Sequence, residues 1–228
     1  PYESFNAVPL PTDYPGIGVS RPGTGIAGAI RRVGEALASH EETIRRLVMM
    51  IALFAIPAIV TVGPVVDPDI WWHLRTGQWI VNHNTLPTTD PFSIYGMGKP
   101  WIQYSWLFEV LVYGLYNWLG LVGILLYRVV MSVAVTAGLH RFVAKREPRF
   151  VAGLGVVGFA MFAFAWVLTE RPWMFTILFV MLTLDTVLDY RDGKKSKMFW
   201  FLPVVYAIWA NIHIQFVYGL LVLGLACA

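Results

Sequence analysis

Residues 67–109 read DPDIWWHLRTGQWIVNHNTLPTTDPFSIYGMGKPWIQYSWLFE, and this stretch decides how the chain is read. It begins where the first strongly apolar segment stops. It carries acids, histidines, an arginine and five tryptophans. Tryptophan favours the headgroup layer of a bilayer. A connector that only joined two membrane helices would be short and bland. This one reads as a polar site built at a bilayer edge.

The rest of the chain agrees with that setting. Of its 228 residues, 57% are hydrophobic and 14% charged, and the mean hydropathy is +0.60. Soluble domains carry roughly 25% charged residues. The apolar excess falls in blocks of membrane-spanning length, so the chain reads as a multi-pass, all-α bundle of transmembrane helices. The net charge of +3 does not argue for nucleic acid. Its basic residues sit in short clusters beside apolar blocks, where they act as topology signals. Cys227 is the only cysteine, which excludes an intrachain disulfide and a cysteine-based metal site.

Residues 1–23 hold five prolines and read as an extended or disordered arm. Over 24–46, Ile26, Ile30, Val33, Leu37 and Ile44 recur near helical spacing between charged residues. That pattern predicts an amphipathic helix on the cytoplasmic membrane surface, or one packed on a partner protein. The transmembrane domain is then 47–228. Span one covers 47–63, with Pro57 as a kink. Arg31, Arg32, Arg45 and Arg46 precede it, which places the N-terminus in the cytoplasm.

Parity fixes the next assignment. The basic clusters Arg141 to Arg149 and Lys194 to Lys197 both belong inside, so an odd number of crossings must follow the outer loop. The apolar piece 106–119 has only 14 residues and carries Glu109 and Asn117. It is too short to cross at 1.5 Å per residue. It is therefore placed as an interfacial helix within an outer loop, 64–120. The remaining spans are 121–140, 150–169, 173–190 and 199–218. The chain stops inside an apolar run, LLVLGLACA, and reads as the N-terminal portion of something longer.

This arrangement collects Asp67, Asp69, His73, Arg75, Asp90, Glu109, Glu170 and Arg171 on one side of the membrane. Arg128 and His213 fall at similar depth inside spans, where polar residues usually face a cavity or a partner. Asp67 and Asp69 can share a divalent cation (Mg or Mn), one of them can act as a base, or they can simply cap the helix that starts near Ile70. His73 shares a helix face with Asp69; it can bind metal or phosphate, or be a hydrogen-bonded structural histidine. Arg75 and Arg171 can hold a lipid phosphate or snorkel as ordinary charges. Asp90 and Glu109 are candidate second acids, with a turn and a salt bridge as their plainer roles. Asn211 and His213 need buried partners, and helix–helix hydrogen bonds would serve. No phosphate-binding glycine loop, H-E-x-x-H or nucleophile elbow occurs.

Asp67 to Leu74 (D-x-D-x-W-W-H-L), Pro87 to Ser93 (P-x-x-D-P-F-S) and Trp101 to Glu109 (W-x-x-x-x-W-L-x-E) together resemble the outer loop of bacterial GT-C-type membrane glycosyltransferases. Arg171-Pro172 and Trp209 to His213 resemble later parts of the same mannosyltransferase-like group. The likeness covers roughly residues 47–220. It implies a GT-C-like bundle with a large first extracytoplasmic loop in a bacterial cytoplasmic membrane. It also implies transfer of a sugar from a polyprenyl-phosphate donor. An acid of that loop, Asp69 or Asp67, would serve as base or metal ligand. His73, Arg75, Arg128, Arg171 and His213 would hold the lipid phosphate. Residues 1–46 lie outside the family pattern. They keep open a second reading, a non-catalytic subunit that binds other membrane proteins through this arm. A transporter of lipid-linked substrates is a third, although no internal repeat is evident.

Overall fold

A computed structural model describes residues 26–65, 67–194 and 196–227. The expected arm, 1–23, lies outside the described residues. Among them every regular element is helical, and the only strand-like pairings are two isolated bridges, Thr89 with Pro100 and Asp90 with Met97. Eight α-helices follow in chain order: α1 (Ile26–Val60), α2 (Asp69–His83), α3 (Trp106–Leu119), α4 (Leu121–Ala144), α5 (Phe150–Phe164), α6 (Trp173–Arg191), α7 (Met198–Ile212) and α8 (Phe216–Cys227). A 3₁₀ turn, Ala165–Val167, extends α5. Four stretches are long and apolar enough to cross a membrane: Gly28–Val60, Leu121–Ala144, Phe150–Val167 and Trp173–Arg191.

The chain divides into two compact units, Pro1–Val48 and Met49–Ala228. In the first, Arg31 pairs with Glu35 at 3.5 Å and Arg46 with Glu42 at 2.6 Å, spacings that place partners on one helix face. The division after Val48 falls beside the expected boundary between a surface helix at 24–46 and a span at 47–63, although α1 itself is unbroken from Ile26 to Val60. Nothing in RRLVMM breaks a helix, so the hydrogen-bond ladder runs through. Pro57 sits one turn from the end. There the Thr61 hydroxyl donates to the Pro57 and Ala58 carbonyls at 3.0 and 2.9 Å, satisfying groups that a helix end leaves open.

The second unit is organised by α4 and α6, which run side by side in the same direction. At one end the Tyr127 hydroxyl donates to the Arg171 carbonyl at 2.8 Å. At the other, Lys145 meets Asp185 and Asp189 at 2.8 and 2.7 Å, and Arg146 meets Asp185 at 2.9 Å. From Arg128 to Lys145 the helix rises ~26 Å, close to the ~30 Å of a hydrocarbon core. The two ends are thus charged and the middle apolar. The core lies between them and the short helices, with Ile70, Phe108, Val112, Ile124, Val135, Val157 and Met174 buried.

The expected fifth span, 199–218, is interrupted. α7 ends at Ile212, His213 is extended (φ −157°, ψ 133°), and α8 starts at Phe216. A Cβ on Gly219 would run into the Tyr206 hydroxyl and the Trp209 ring, so α8 packs closely against α7. At 15 and 12 residues, each helix rises only ~22 and ~18 Å.

Candidate functional site

α2 and α3 form the frame of the site. They cross at Gly77, where an added Cβ would overlap the Glu109 carbonyl and Tyr113. That close approach puts Glu109 against His73, one turn before Gly77. His73 Nδ1 lies 3.1 Å from Glu109 Oε1, and the His73 ring stands edge-on to Phe108. The second Glu109 oxygen accepts from the Gln103 amide. The Trp101 indole N–H donates to Gln103 Oε1 at 2.5 Å. A relay of four side chains therefore lines a cleft of about 330 Å³, which Asp69, Trp72 and Tyr104 also wall.

Arg171, in the turn before α6, faces the start of α2. Its guanidinium forms an ion pair with Asp67 and another with Asp69, the latter at 2.7 Å. Asp67 Oδ1 also accepts the Asp69 backbone N–H at 3.0 Å, so it caps the helix start as well. Burial alone would raise the Asp67 carboxyl. The Arg171 guanidinium and the Asp69 amide outweigh that, and its pKa falls below the ordinary aspartate value. The hydrogen bond to Asp67 raises Arg171 against its own partial burial. Asp67 is buried, whereas the Asp69 side chain is 48% exposed.

Arg128 and Glu170 form a buried pair, 2.5 Å apart, with side chains 8% and 1% exposed. Arg128 also donates to the Pro64 and Gly63 carbonyls at 3.1 and 2.6 Å, which ties α4 to the segment after α1. Arg128 Nε and Glu170 Oε2 are buried without a hydrogen-bond partner among the described residues. Beside this pair lies a largely apolar cavity of about 500 Å³, lined by Leu53, Ile56, Val60, Met161, Phe162 and Leu168, with Arg128 in its wall.

His213 occupies the break between α7 and α8. Its Nδ1 is 2.8 Å from the Thr176 hydroxyl, which accepts the Trp209 indole N–H at 3.1 Å. The Thr176 hydroxyl thus links the Trp209 indole to the His213 ring. His73 lies within electrostatic range of both Asp67 and His213. Asn211 accepts from the Trp106 indole at 2.6 Å, joining α7 to α3.

Two candidates stay apart. Asp90 is spent on its own turn: it accepts the Phe92 and Ser93 amides and the Ser93 hydroxyl. The Ser93 hydroxyl, first, and the Phe92 amide hold its carboxyl below the usual range. Arg75 is exposed and donates to Gln78 at 2.7 Å. Asp67, Asp69, His73, Glu109, Arg128, Arg171 and His213 are brought to one end of the unit. Gln103 and Thr176 join them without having been named in the sequence, and Glu170 and Trp101 join them although no site role was given to either. Glu170 carried a signal, since an acid beside an arginine at the mouth of a span needs a partner.

The residues present do not fit a resident Mg or Mn ion. Among the described residues no group of three His, Cys, Asp or Glu side chains converges. Asp67 and Asp69 direct their carboxylates at the Arg171 guanidinium, which stands where a cation would bridge them. No known protein family, curated protein or solved structure matches this chain.

Proposed function

We propose that this chain is a membrane glycosyltransferase-like protein that moves a sugar from a polyprenyl-phosphate donor on the extracytoplasmic face of a bacterial cytoplasmic membrane. One observation carries the reading. Two ion pairs carried by the adjacent residues Glu170 and Arg171, Asp69 with Arg171 and Glu170 with Arg128, lie between a polar, aromatic cleft and an apolar cavity. A lipid-linked sugar needs both environments side by side. The isoprenoid chain would lie in the apolar cavity, the phosphate near Arg128 and Arg171, and the sugar in the cleft between Trp72 and Tyr104. Guanidinium groups suit a phosphate that becomes a leaving group. Asp69, half exposed in the cleft wall and ion-paired to Arg171, would hold that guanidinium toward the donor phosphate.

Native mass spectrometry of the full-length protein, gently extracted, tests the lipid half of this reading. A bound polyprenyl phosphate, retained by wild type and lost from Arg171→Gln, is the expected result. A cellular glycan that disappears in Asp69→Asn at unchanged protein level tests the enzymatic half. A bound lipid with no phosphate, or full glycan in Asp69→Asn, refutes it.

A second reading draws on the first unit. Ile26, Ile30, Val33, Leu37 and Ile44 are all at least 60% exposed there, apolar surface suited to another membrane protein. If deleting residues 1–40 removes function and a stoichiometric partner while Asp69→Asn is silent, the chain is a structural subunit.

A further inference from the structure

We infer that His73, oriented by Glu109, is the proton acceptor of the cleft, and that Asp67 and Asp69 serve instead to hold Arg171. The inference rests on the glycosyl-transfer reading and assigns a group within it.

The argument starts from the donor that cannot reverse. The Trp101 indole N–H only donates, so Gln103 presents Oε1 to it and turns its NH₂ toward Glu109. Glu109 Oε2 therefore accepts. The carboxylate's other oxygen takes the His73 Nδ1–H at 3.1 Å. That fixes the tautomer: His73 Nε2 carries a bare lone pair. Nε2 makes no hydrogen bond among the described residues, and the ring borders the 330 Å³ cleft. Glu109 is buried and satisfied on both oxygens, so it orients the ring and offsets the charge of an imidazolium. This is the division of labour of a histidine–carboxylate dyad.

The aspartates are committed elsewhere. Asp67 faces Arg171 with both oxygens and caps α2. Asp69 shares the same guanidinium. A neutral imidazole is better matched to accepting a hydroxyl proton near neutral pH. Packing locks the dyad through Gly77, since a larger residue would push Glu109 off His73.

The step balances as follows. His73 Nε2 takes the proton of the acceptor hydroxyl as its oxygen bonds to the sugar's anomeric carbon. The bond from that carbon to the phosphate oxygen breaks, and its electron pair stays on the phosphate, beside Arg171. The imidazolium, held by Glu109, then returns its proton to water.

The test uses the full-length protein in detergent micelles. Farnesyl phosphate esters of mannose, glucose and galactose are the donors, octyl glycosides of the same sugars are the acceptors, and product is read by mass spectrometry. Wild type is expected to transfer at least one sugar. His73→Ala should lower kcat by about a hundredfold or more, with KM for the donor little changed, and added imidazole should restore part of the rate. Asp69→Asn should lose activity without imidazole rescue. Glu109→Gln, nearly isosteric, acts through His73 and should lower kcat at least about tenfold with KM held; it carries the test if His73→Ala does not fold. Transfer by wild type with undiminished His73→Ala, or a loss that imidazole leaves untouched, overturns the base assignment alone. No transfer of any of the three sugars by wild type overturns the glycosyl-transfer reading and the base with it.

Discussion

Replacing Glu170 by glutamine isolates the charge of the buried pair, because the amide keeps the shape. Arg128 would lose the carboxylate 2.5 Å away while staying 8% exposed. Removing one partner of a buried pair typically costs about 3–5 kcal/mol, because the other charge remains uncompensated. The lower end applies here, since the Gly63 and Pro64 carbonyls still accept from both terminal nitrogens. Arg128→Met belongs at the upper end: it strands a buried carboxylate whose second oxygen already lacks a partner. The double variant Arg128→Met/Glu170→Gln removes both charges and should recover to within about 1 kcal/mol of wild type. A neutral hydrogen bond inside a membrane protein averages only about 0.6 kcal/mol, so the two possibilities are far apart. Equilibrium unfolding in mixed micelles, with the fraction of denaturing detergent as the variable, measures all four proteins. Single variants within about 1 kcal/mol of wild type, or a double variant as unstable as the sum of the singles, would refute the reasoning.

Three further outcomes follow from the same geometry. Gly77→Val should destabilise by about 1–3 kcal/mol through overpacking of the α2–α3 crossing, read as a lower melting temperature in detergent; an unchanged melt means that the helices do not meet there. Asp67 has a pKa depressed in the folded state, so its contribution is present above the unfolded aspartate value of about 3.9 and is lost as pH falls through the folded one. Wild-type stability should therefore drop below about pH 4 more steeply than that of Asp67→Asn, and parallel curves would contradict the pairing. A cysteine at position 120, in the protein with Cys227→Ser, should react with a membrane-impermeant maleimide from outside intact cells, and one at 193 only after the cells are opened; the reverse pattern overturns the parity assignment.

Why some of this was legible in the sequence and some was not comes down to range. Helix ends announce themselves locally. Gly120, with φ +60°, separates α3 from α4, and Pro172 precedes α6. The concentration of acids and histidines after the first apolar block flagged the site because charged groups close to a bilayer need partners, and the tryptophans among them marked an interface. Pairings carry no local mark. His73 meets Glu109 across 36 positions, Arg128 meets Glu170 across 42, and Asp67 meets Arg171 across 104. Periodicity says which face a residue shares, but not which helix lies opposite. Asp90 shows the converse: D-P-F-S already spelled a turn, and the turn consumes it. The break at His213 is a middle case. Neither proline nor glycine marks it, only the polar alternation of Asn211, His213 and Gln215 in an apolar run.

That break bears on how the site is held. Backbone groups freed by a break inside a packed bundle need partners. Here they are specific: the His213 amide donates to the Trp209 carbonyl at 2.8 Å, and its side chain is fixed by Thr176, one turn into α6. Trp209 is wholly buried between Thr176, Phe179 and Tyr206, and it is also the ring that Gly219 of α8 approaches. One tryptophan thus joins α6, α7 and α8 just behind His213. Asn211 binds Trp106, the first residue of α3, whose next turn carries Glu109. The short helices are therefore not loose ends of the bundle. Through Asn211, α7 holds α3 at Trp106, while α2 meets α3 at Gly77, and these two contacts keep Glu109 beside His73.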